Sequence, residues 1–325
     1  MNAQPFDPAQ RRRAFVARRF TDRVEAAIAA RFAVVRPQND RPVAPADLVE
    51  AAQGCTHIFV SVTDPLPGWC IDQLAPTLRV IASLSVGHDH IDLAAAQRHG
   101  VSVLLTPDVL SAACAELAMM LMLGAARRGH EADAMVRSGQ WPGWAPTQLL
   151  GKGLVGRRLG ILGLGRIGRE VAARARGFGM TIHYHNRRPA PDTDACYHES
   201  AESLLAVSDV LCLCAPGGSG LAPFLNARRL ALLPRGAVVV NIARGDLIDD
   251  TALIAALQSG QVFAAGLDVF AGEPEVDPRY ASLPNVVLSP HIGSATEETR
   301  DAMGFLLIDG IDALDRHERP INQLC

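Results

Sequence analysis

Three polar segments carry side chains that could support the reduction of a carbonyl group by hydride transfer. Each segment follows an apolar run typical of a buried strand, and they contain Arg244, Glu273 and His291. An imidazole titrates near neutral pH and can protonate the alkoxide that forms during the reduction. A carboxylate beside it favours the imidazolium and orients the ring. A guanidinium can polarise the carbonyl oxygen and hold a substrate carboxylate.

A glycine-rich turn upstream predicts where a hydride-carrying nucleotide would bind. The turn has the pattern G-x-G-x-x-G and comprises Gly163, Gly165, Arg166, Ile167 and Gly168. It lies between an apolar strand over 159–162 and an apolar helix over 167–178. In this context the backbone can approach a pyrophosphate, and the helix N-terminus offers free N–H groups to the phosphates. A purely structural glycine turn is the alternative interpretation.

The end of the next strand indicates which dinucleotide would bind. An NAD site places Asp or Glu about 20 residues downstream, on the ribose 2′-OH, but this strand ends in Asn186, Arg187 and Arg188. Two guanidinium groups can hold a 2′-phosphate through charge-assisted hydrogen bonds. We therefore predict NADP as the cofactor, with NADPH preferred over NADH by roughly ten- to a thousandfold. The alternative is a solvated arginine pair on a turn.

The elements that must position these residues follow from the hydrophobic pattern. Strands alternate with helices, which predicts a parallel α/β class, and 325 residues suggest about two domains. We predict five strands in the first domain and six in the second, both doubly wound. Between them, one long helix over 109–138 is expected, and its apolar stretch over 117–123 should be buried on most sides. Because ligands bind at the carboxyl ends of parallel strands, Arg244, Glu273 and His291 should share one crevice.

Composition narrows the range of functions and partners. The net charge of −3 gives no basis for a nucleic-acid partner. The basic run over 11–13 is expected to flank the first strand. Seven cysteines without metal-ligand spacing predict no metal site and a reducing, cytoplasmic location. The first ten residues lack the apolar core of a signal peptide, and the run over 117–126 is too short to span a membrane.

Several segments together resemble the D-isomer-specific 2-hydroxyacid dehydrogenase family over almost the full chain. Besides the glycine turn, these segments are residues 85–92, 106–110, 115–118, 243–245, 266–270, 273–274 and 289–293. Within the family, the tryptophan-containing segment 141–146 and the Asn-Arg-Arg strand end resemble the NADPH-preferring glyoxylate/hydroxypyruvate reductases. The resemblance implies a flavodoxin-like substrate-binding domain (1–108 and 296–325) and a Rossmann dinucleotide-binding domain (109–295).

The resemblance also implies a role for each matched position. His291 would be the acid/base, Glu273 its partner and Arg244 the substrate clamp. The backbone N–H groups of Val86 and Gly87 would bind the substrate carboxylate, as a glycine-containing loop can. Cofactor contacts beyond the turn and the strand end would come from Ala215, Pro216, Ile242, Ala243, Asp268, His291 and Gly293.

A homodimer is a further implication of the resemblance. Family members usually pair through the connector helix, and Trp141 would then bind substrate by reaching the partner's active site. Packing within its own loop is the alternative for Trp141. The function expected for the chain is NADPH-dependent reduction of small 2-oxoacids such as glyoxylate and hydroxypyruvate. The alternatives are a reductase of longer sugar acids such as 2-ketogluconate, and a non-enzymatic nucleotide-sensing protein.

Overall fold

Two parallel β-sheets organise the chain, and each sheet is the centre of one structural unit. A computed structural model describes residues 12–217 and 223–325. One unit contains the residues up to Leu110 and those from Ala295 onward, and the other spans Ser111–Ser294.

The first unit has five strands in the order β2-β1-β3-β4-β5, which is the flavodoxin-like order. Its elements are β1 (Arg13–Val16), α1 (Asp22–Arg31), β2 (Ala33–Val35), α2 (Pro45–Ala51), β3 (His57–Val60), α3 (Gly68–Leu74), β4 (Val80–Ser83), α4 (Leu93–Arg98), β5 (Ser102–Leu104) and a C-terminal helix (Glu297–Asp315). Every residue of β3 and β4 is buried, as expected for parallel strands covered on both faces.

The second unit has seven strands in the order β12-β11-β10-β9-β6-β7-β8, a Rossmann order extended by one strand. Its elements are α5 (Ser111–Ala126), α6 (Gly129–Arg137), β6 (Arg158–Leu162), α7 (Arg166–Gly177), β7 (Thr181–His185), β8 (Cys196–Tyr197), α8 (Ala201–Val207), β9 (Val210–Leu213), α9 (Ala227–Leu230), β10 (Ala237–Asn241), α10 (Asp250–Gln258), β11 (Val262–Leu267) and β12 (Val286–Leu288). Two short 3-10 helices cover Gly245–Leu247 and Pro278–Ser282. The prediction of two doubly wound parallel sheets is confirmed.

Two expectations about elements are wrong. The sheet of the second unit has a seventh strand, β8, which is only two residues long and therefore shows no alternation in the sequence. The single helix expected over 109–138 is two helices, α5 and α6, because Arg128 adopts a left-handed conformation with φ of +56°. The Arg128 guanidinium bonds the Glu131 carboxylate at 2.6 and 2.8 Å, which stabilises this break.

The apolar stretch of α5 is largely buried, as expected, although Met120 is 50% exposed. In the described ranges, no helix combines the length and hydropathy needed to cross a membrane. Of the basic run over 11–13, Arg11 lies outside the described residues, Arg12 pairs with Asp315 in the C-terminal helix and Arg13 begins β1.

Strand register brings the functional segments of the second unit to one edge. The last residues of five neighbouring strands are paired with one another, and they are Leu162, Leu213, Asn241, Leu267 and Leu288. The segments that leave these strands therefore begin side by side at the carboxyl edge of the sheet. Helix α5 packs against one face of β10 and β11 and helps to bury these two strands.

At the opposite edge, an ion pair ties β6 to β9. One Asp209 carboxylate oxygen accepts hydrogen bonds from the Arg158 backbone N–H at 2.9 Å and from Nε at 3.0 Å, and the other accepts from Nη2 at 3.0 Å. The hydrogen bonds from Arg158 hold the pKa of Asp209 below its ordinary value, although burial opposes this. The pair fixes the strands that lead to the glycine turn and to Ala215.

Asp209→Asn is expected to lower the free energy of unfolding by about 1–2 kcal/mol at pH 7, because charge-assisted bonds at a largely buried carboxylate are lost. The matched control is Asp133→Asn, whose partner Arg137 is exposed on α6 and contacts both carboxylate oxygens from Nε alone; it should cost much less than Asp209→Asn. Denaturant titration measures both. Since the pKa of folded Asp209 is depressed, its contribution is present at neutral pH and is lost as pH falls below about 4. Equal losses in the two variants would contradict this account.

Candidate active site

His291 and Glu273 are in direct contact at the carboxyl edge of the second unit's sheet. His291 Nδ1 lies 2.7 Å from Glu273 Oε2. The other oxygen of this carboxylate, Oε1, accepts a hydrogen bond from the backbone N–H of Phe270 at 2.8 Å, which fixes the carboxyl group. The imidazole Nε2 forms no hydrogen bond with the described residues, so this nitrogen is the one available to exchange a proton.

The charge state of Glu273 follows from two opposing effects. Burial would raise its pKa, but hydrogen bonds from His291 and the Phe270 N–H, together with the charge of Arg244, leave the pKa below its ordinary value. Glu273 is therefore ionised at neutral pH. A carboxylate at Nδ1 makes that nitrogen the hydrogen-bond donor of the ring and stabilises an imidazolium.

The backbone at His291 is held in an uncommon conformation by Asp268. His291 has φ of +54°, a value that non-glycine residues rarely adopt. Its N–H donates to the Asp268 carbonyl at 2.9 Å. The Asp268 carboxylate accepts from the N–H groups of Ile292 and Gly293 at 2.8 and 2.9 Å and from the Ser289 hydroxyl. Four hydrogen bonds to one residue therefore define the conformation of the histidine segment.

Asp268 is 1% exposed, and burial raises the pKa of its carboxyl group although these hydrogen bonds oppose the shift. The family resemblance implied that Asp268 would contact the cofactor. In the structure, the Asp268 carboxylate accepts hydrogen bonds from the segment that carries His291. Sequence reasoning missed this positioning role. Asp268 lies beside the histidine segment because Leu267 pairs with Leu288 on the adjacent strand. The sequence carries no signal for this pairing, which is known only once the order of strands in the sheet is known.

Arg244 leaves β10 on a loop that Asn241 fixes. The buried Asn241 amide donates to the Arg244 carbonyl at 2.8 Å and accepts from the Ala243 N–H at 3.0 Å. Arg244 Nη1 donates to the Ala243 carbonyl at 2.7 Å. A Cβ atom added at Gly217 would lie 2.7 Å from Arg244 Cγ, so the stem of this arginine packs against the loop after β9. The structure thus gathers Arg244, Glu273 and His291 at one edge.

The glycine turn has the shape of a phosphate-binding loop. Gly163 has φ of +96°, and a Cβ there would lie 2.7 Å from the Ala215 nitrogen. A Cβ at Gly168 would lie 2.3 Å from the Gly163 carbonyl oxygen, whereas one at Gly165 would meet no protein atom within 4 Å. The space at Gly165 therefore lies open beside the N-terminus of α7, which has no side-chain cap. These residues fit a dinucleotide pyrophosphate, which would accept the uncapped N–H groups.

The three residues directly after β7 differ in their surroundings: Asn186 is hydrogen-bonded to the protein, whereas Arg187 and Arg188 are exposed. Asn186 Oδ1 accepts a hydrogen bond from the Leu164 N–H at 2.7 Å, so this side chain braces the glycine turn. Arg187 and Arg188 are exposed, and neither forms an ion pair or hydrogen bond with any described residue. Both guanidinium groups can therefore pair with an anionic ligand.

The other positions predicted to contact the cofactor surround the same edge. Ile242 and Ala243 follow β10 and are partly buried, while Pro216 is exposed after β9. Gly293 is buried, and a Cβ there would lie 3.2 Å from Cys114 Sγ and 3.3 Å from Asp268 Oδ2. Nothing in the sequence pattern placed Cys114 beside the histidine segment. Ile167 packs on the apolar core beneath the turn, and Arg166 begins α7.

The predicted substrate-binding residues lie on two separate loops. Val86 and Gly87 belong to the first unit, where Ser85 Oγ donates to the Gly87 carbonyl at 2.8 Å and shapes the loop. Within the described chain, the N–H groups of Val86 and Gly87 have no hydrogen-bond acceptor. Trp141 belongs to the second unit and is 54% exposed. Its Nε1 donates to Gln148 Oε1 at 3.3 Å, a contact within its own loop.

Comparison with known proteins agrees with this architecture. Residues 119–293 match the family profile described as D-isomer specific 2-hydroxyacid dehydrogenase, NAD binding domain. The chain is 40% identical to a glycerate dehydrogenase from Hyphomicrobium methylovorum, over 86% of this chain and 89% of that protein. It is 41% identical to a glyoxylate reductase from Thermococcus litoralis, over 85% of each.

A solved structure shares the whole fold. It is an NADPH-dependent glyoxylate/hydroxypyruvate reductase from Sinorhizobium meliloti in complex with NADP and malonate, with a TM-score of 0.87 and 34% identity over 97% of each chain. The family profile covers more than half of the chain, and the relatives match it over most of their length. The chain belongs to the D-isomer specific 2-hydroxyacid dehydrogenase family.

Proposed function

We propose that this protein reduces small 2-oxoacids, such as glyoxylate and hydroxypyruvate, to 2-hydroxyacids with NADPH. Family membership establishes a 2-hydroxyacid dehydrogenase with an NAD(P)-binding domain. Relatives named glyoxylate reductase and glycerate dehydrogenase support the substrate class. The observation that carries the proposal is the 2.7 Å contact between His291 Nδ1 and Glu273, because it leaves an oriented imidazole at the sheet edge where the glycine turn also lies.

The residues of this edge divide the chemistry between them. The glycine turn would hold NADPH, and the hydride for the carbonyl carbon of the substrate would come from that cofactor. His291 holds a proton on Nε2 and transfers it to the carbonyl oxygen as negative charge develops there. Glu273 stabilises the imidazolium before the transfer and keeps the ring in place. Arg244 carries the positive charge that holds the substrate carboxylate and polarises the carbonyl group.

The cofactor preference rests on the two exposed arginines. Arg187 and Arg188 have no partner among the described residues, and the three residues directly after β7 (186–188) include no carboxylate to bind a ribose 2′-OH. A 2′-phosphate would receive charge-assisted hydrogen bonds from both guanidinium groups. The NADP complex of the Sinorhizobium meliloti relative supports this assignment.

The proposal extends to domain roles, assembly and location. The unit containing Val86 and Gly87 would be the substrate-binding domain (1–108 and 296–325), and residues 109–295 the dinucleotide-binding domain. Large apolar side chains exposed on the second unit support a homodimer; they are Met120 (50%), Trp141 (54%) and Trp144 (82%). All seven cysteines are free thiols, which supports a reducing, cytoplasmic location.

Oxidation of NADPH and NADH should be followed with glyoxylate, hydroxypyruvate, pyruvate and 2-ketogluconate. We expect turnover with the first two substrates and a higher kcat/KM for NADPH than for NADH. Higher kcat/KM for 2-ketogluconate would replace the proposal with a sugar-acid reductase. Tight NADPH binding without turnover of any 2-oxoacid would identify a nucleotide-sensing protein.

His291→Ala should lower kcat by about 10²–10⁴-fold, the usual contribution of a general acid, with the Kd for NADPH nearly unchanged. Glu273→Gln removes the charge that favours the imidazolium, so the alkaline limb of the kcat/KM profile for reduction should move to lower pH. Steady-state kinetics across pH and fluorescence titration with NADPH measure these effects. An unchanged kcat in His291→Ala would refute its assignment as the acid.

The double variant Arg187→Ala/Arg188→Ala should raise the KM for NADPH by roughly ten- to a thousandfold, since two charge-assisted contacts to the 2′-phosphate are lost. The KM for NADH should change little, because NADH lacks that phosphate. Arg228→Ala is a matched control, as Arg228 is an exposed arginine of the same unit, paired with Glu202. Equal effects on NADPH and NADH would show that the two arginines do not bind the 2′-phosphate.

A further inference from the structure

His183, Cys196 and His198 form a cluster at the outer edge of the second unit's sheet, away from the residues assigned to the reaction. We propose that this cluster binds one Zn²⁺ ion per chain. The proposal concerns β7 and β8 and does not depend on the proposed reaction.

Strand pairing places the three side chains together. Strands β7 and β8 are parallel, with His183 opposite Cys196 and Tyr184 opposite Tyr197. Because side chains alternate along a strand, Cys196 and His198 share a face with His183. The tyrosines pack on the opposite face, with ring centroids 5.4 Å apart. The three ligands are thus held by main-chain pairing and do not depend on a loose loop.

The distances suit a small metal ion. His183 Nδ1 lies 3.0 Å from His198 Nε2, and all three candidate ligand atoms lie within 4.8 Å of one another. In a tetrahedral zinc site with Zn–N distances of about 2.0–2.1 Å, two nitrogen ligands stand about 3.3 Å apart. A change of a few tenths of an ångström would therefore convert the hydrogen bond between the imidazoles into two zinc ligands.

The position of His198 is also fixed from the backbone. His185 Nδ1 lies 2.8 Å from the His198 carbonyl oxygen, and the His198 N–H donates to the Tyr184 carbonyl at 2.8 Å. Two contacts to β7 thus hold the residue that completes the cluster. Such pre-arrangement lowers the entropy lost when a ligand binds.

The ligand types select the metal. Two imidazoles and one thiolate match the borderline-soft Zn²⁺ and disfavour Ca²⁺ and Mg²⁺, which bind oxygen. Three protein ligands leave one coordination position for water. Cysteine spacing alone gave no sign of this site, because two of its three ligands are histidines and His183 comes from the neighbouring strand.

The site would act as a cross-link at the base of a loop. Residues 186–195 connect β7 to β8, and this loop carries Arg187 and Arg188. A metal ion bound to both strands would fix the two ends of the loop, and binding to the folded state would raise the melting temperature. The edge strand β8 is only two residues long, so a metal cross-link would add substantially to its pairing with β7.

The test uses the full chain without a histidine tag, stripped of metal by a chelator and reduced. Calorimetric titration with Zn²⁺ should show one ion per chain and a raised melting temperature. Titration with Co²⁺ should produce sulfur-to-metal charge-transfer absorption. Cys196→Ser and His198→Gln should each weaken Zn²⁺ binding by at least about tenfold, and Cys196→Ser should abolish the cobalt absorption.

Matched controls are Cys325→Ser and His130→Gln, which remove a thiol and an imidazole elsewhere in the chain and should leave binding unchanged. Circular dichroism and NADPH affinity establish that each variant is folded. A stoichiometry well below one, or equal Zn²⁺ affinity in the wild type, Cys196→Ser and His198→Gln, would overturn the proposal.

Discussion

The contact between His291 and Glu273 depends on a backbone that Asp268 holds in place. A positive φ at a histidine is costly, and the hydrogen bonds between Asp268 and the segment from Ser289 to Gly293 compensate for it. Asp268 is the first residue after β11, and Ser289 is the first after β12. Their proximity follows directly from the pairing of Leu267 with Leu288. The orientation of the His291 imidazole is therefore a consequence of parallel strand register.

The same constraint organises the rest of the edge. Asn241 ends β10 and fixes the carbonyl of Arg244, while Asn186 follows β7 and fixes Leu164 in the glycine turn. Each of these polar side chains satisfies main-chain groups of a neighbouring segment. A burial cost is thereby offset by hydrogen bonds that also specify the loop. The segments that carry Arg244, His291 and the glycine turn are therefore all held by hydrogen bonds to side chains at the ends of strands.

Much of this could be predicted from the sequence because the signals are local. Hydrophobic runs predicted the strands of both sheets except β8. The His291–Glu273 contact was expected from strand ends alone. The break at Arg128 was missed because a single left-handed residue between two consecutive helices leaves no periodic signal. Strand β8 was missed because two residues cannot show alternation.

Features that depend on pairing between distant segments were beyond sequence reasoning. The role of Asp268, the approach of Cys114 to Gly293 and the His183–Cys196–His198 cluster each require the sheet order. Asn186 illustrates the same limit, since a polar residue at a strand end predicts ligand contact as readily as bracing of the adjacent turn. In the structure, the Asn186 side chain accepts a hydrogen bond from the Leu164 N–H. Of the three residues directly after β7, only Arg187 and Arg188 have side chains without a partner among the described residues.

We propose that Glu273 holds His291 with its proton on Nδ1, so that Nε2 exchanges the proton with substrate. Long-range proton–nitrogen correlation NMR of protein labelled at histidine nitrogens reads this tautomer directly. At a pH where His291 is neutral, we expect a protonated Nδ1 and an unprotonated Nε2, and loss of this preference when Glu273 is replaced by alanine. A neutral ring with its proton on Nε2 in the wild type would show that Glu273 does not set the tautomer of His291.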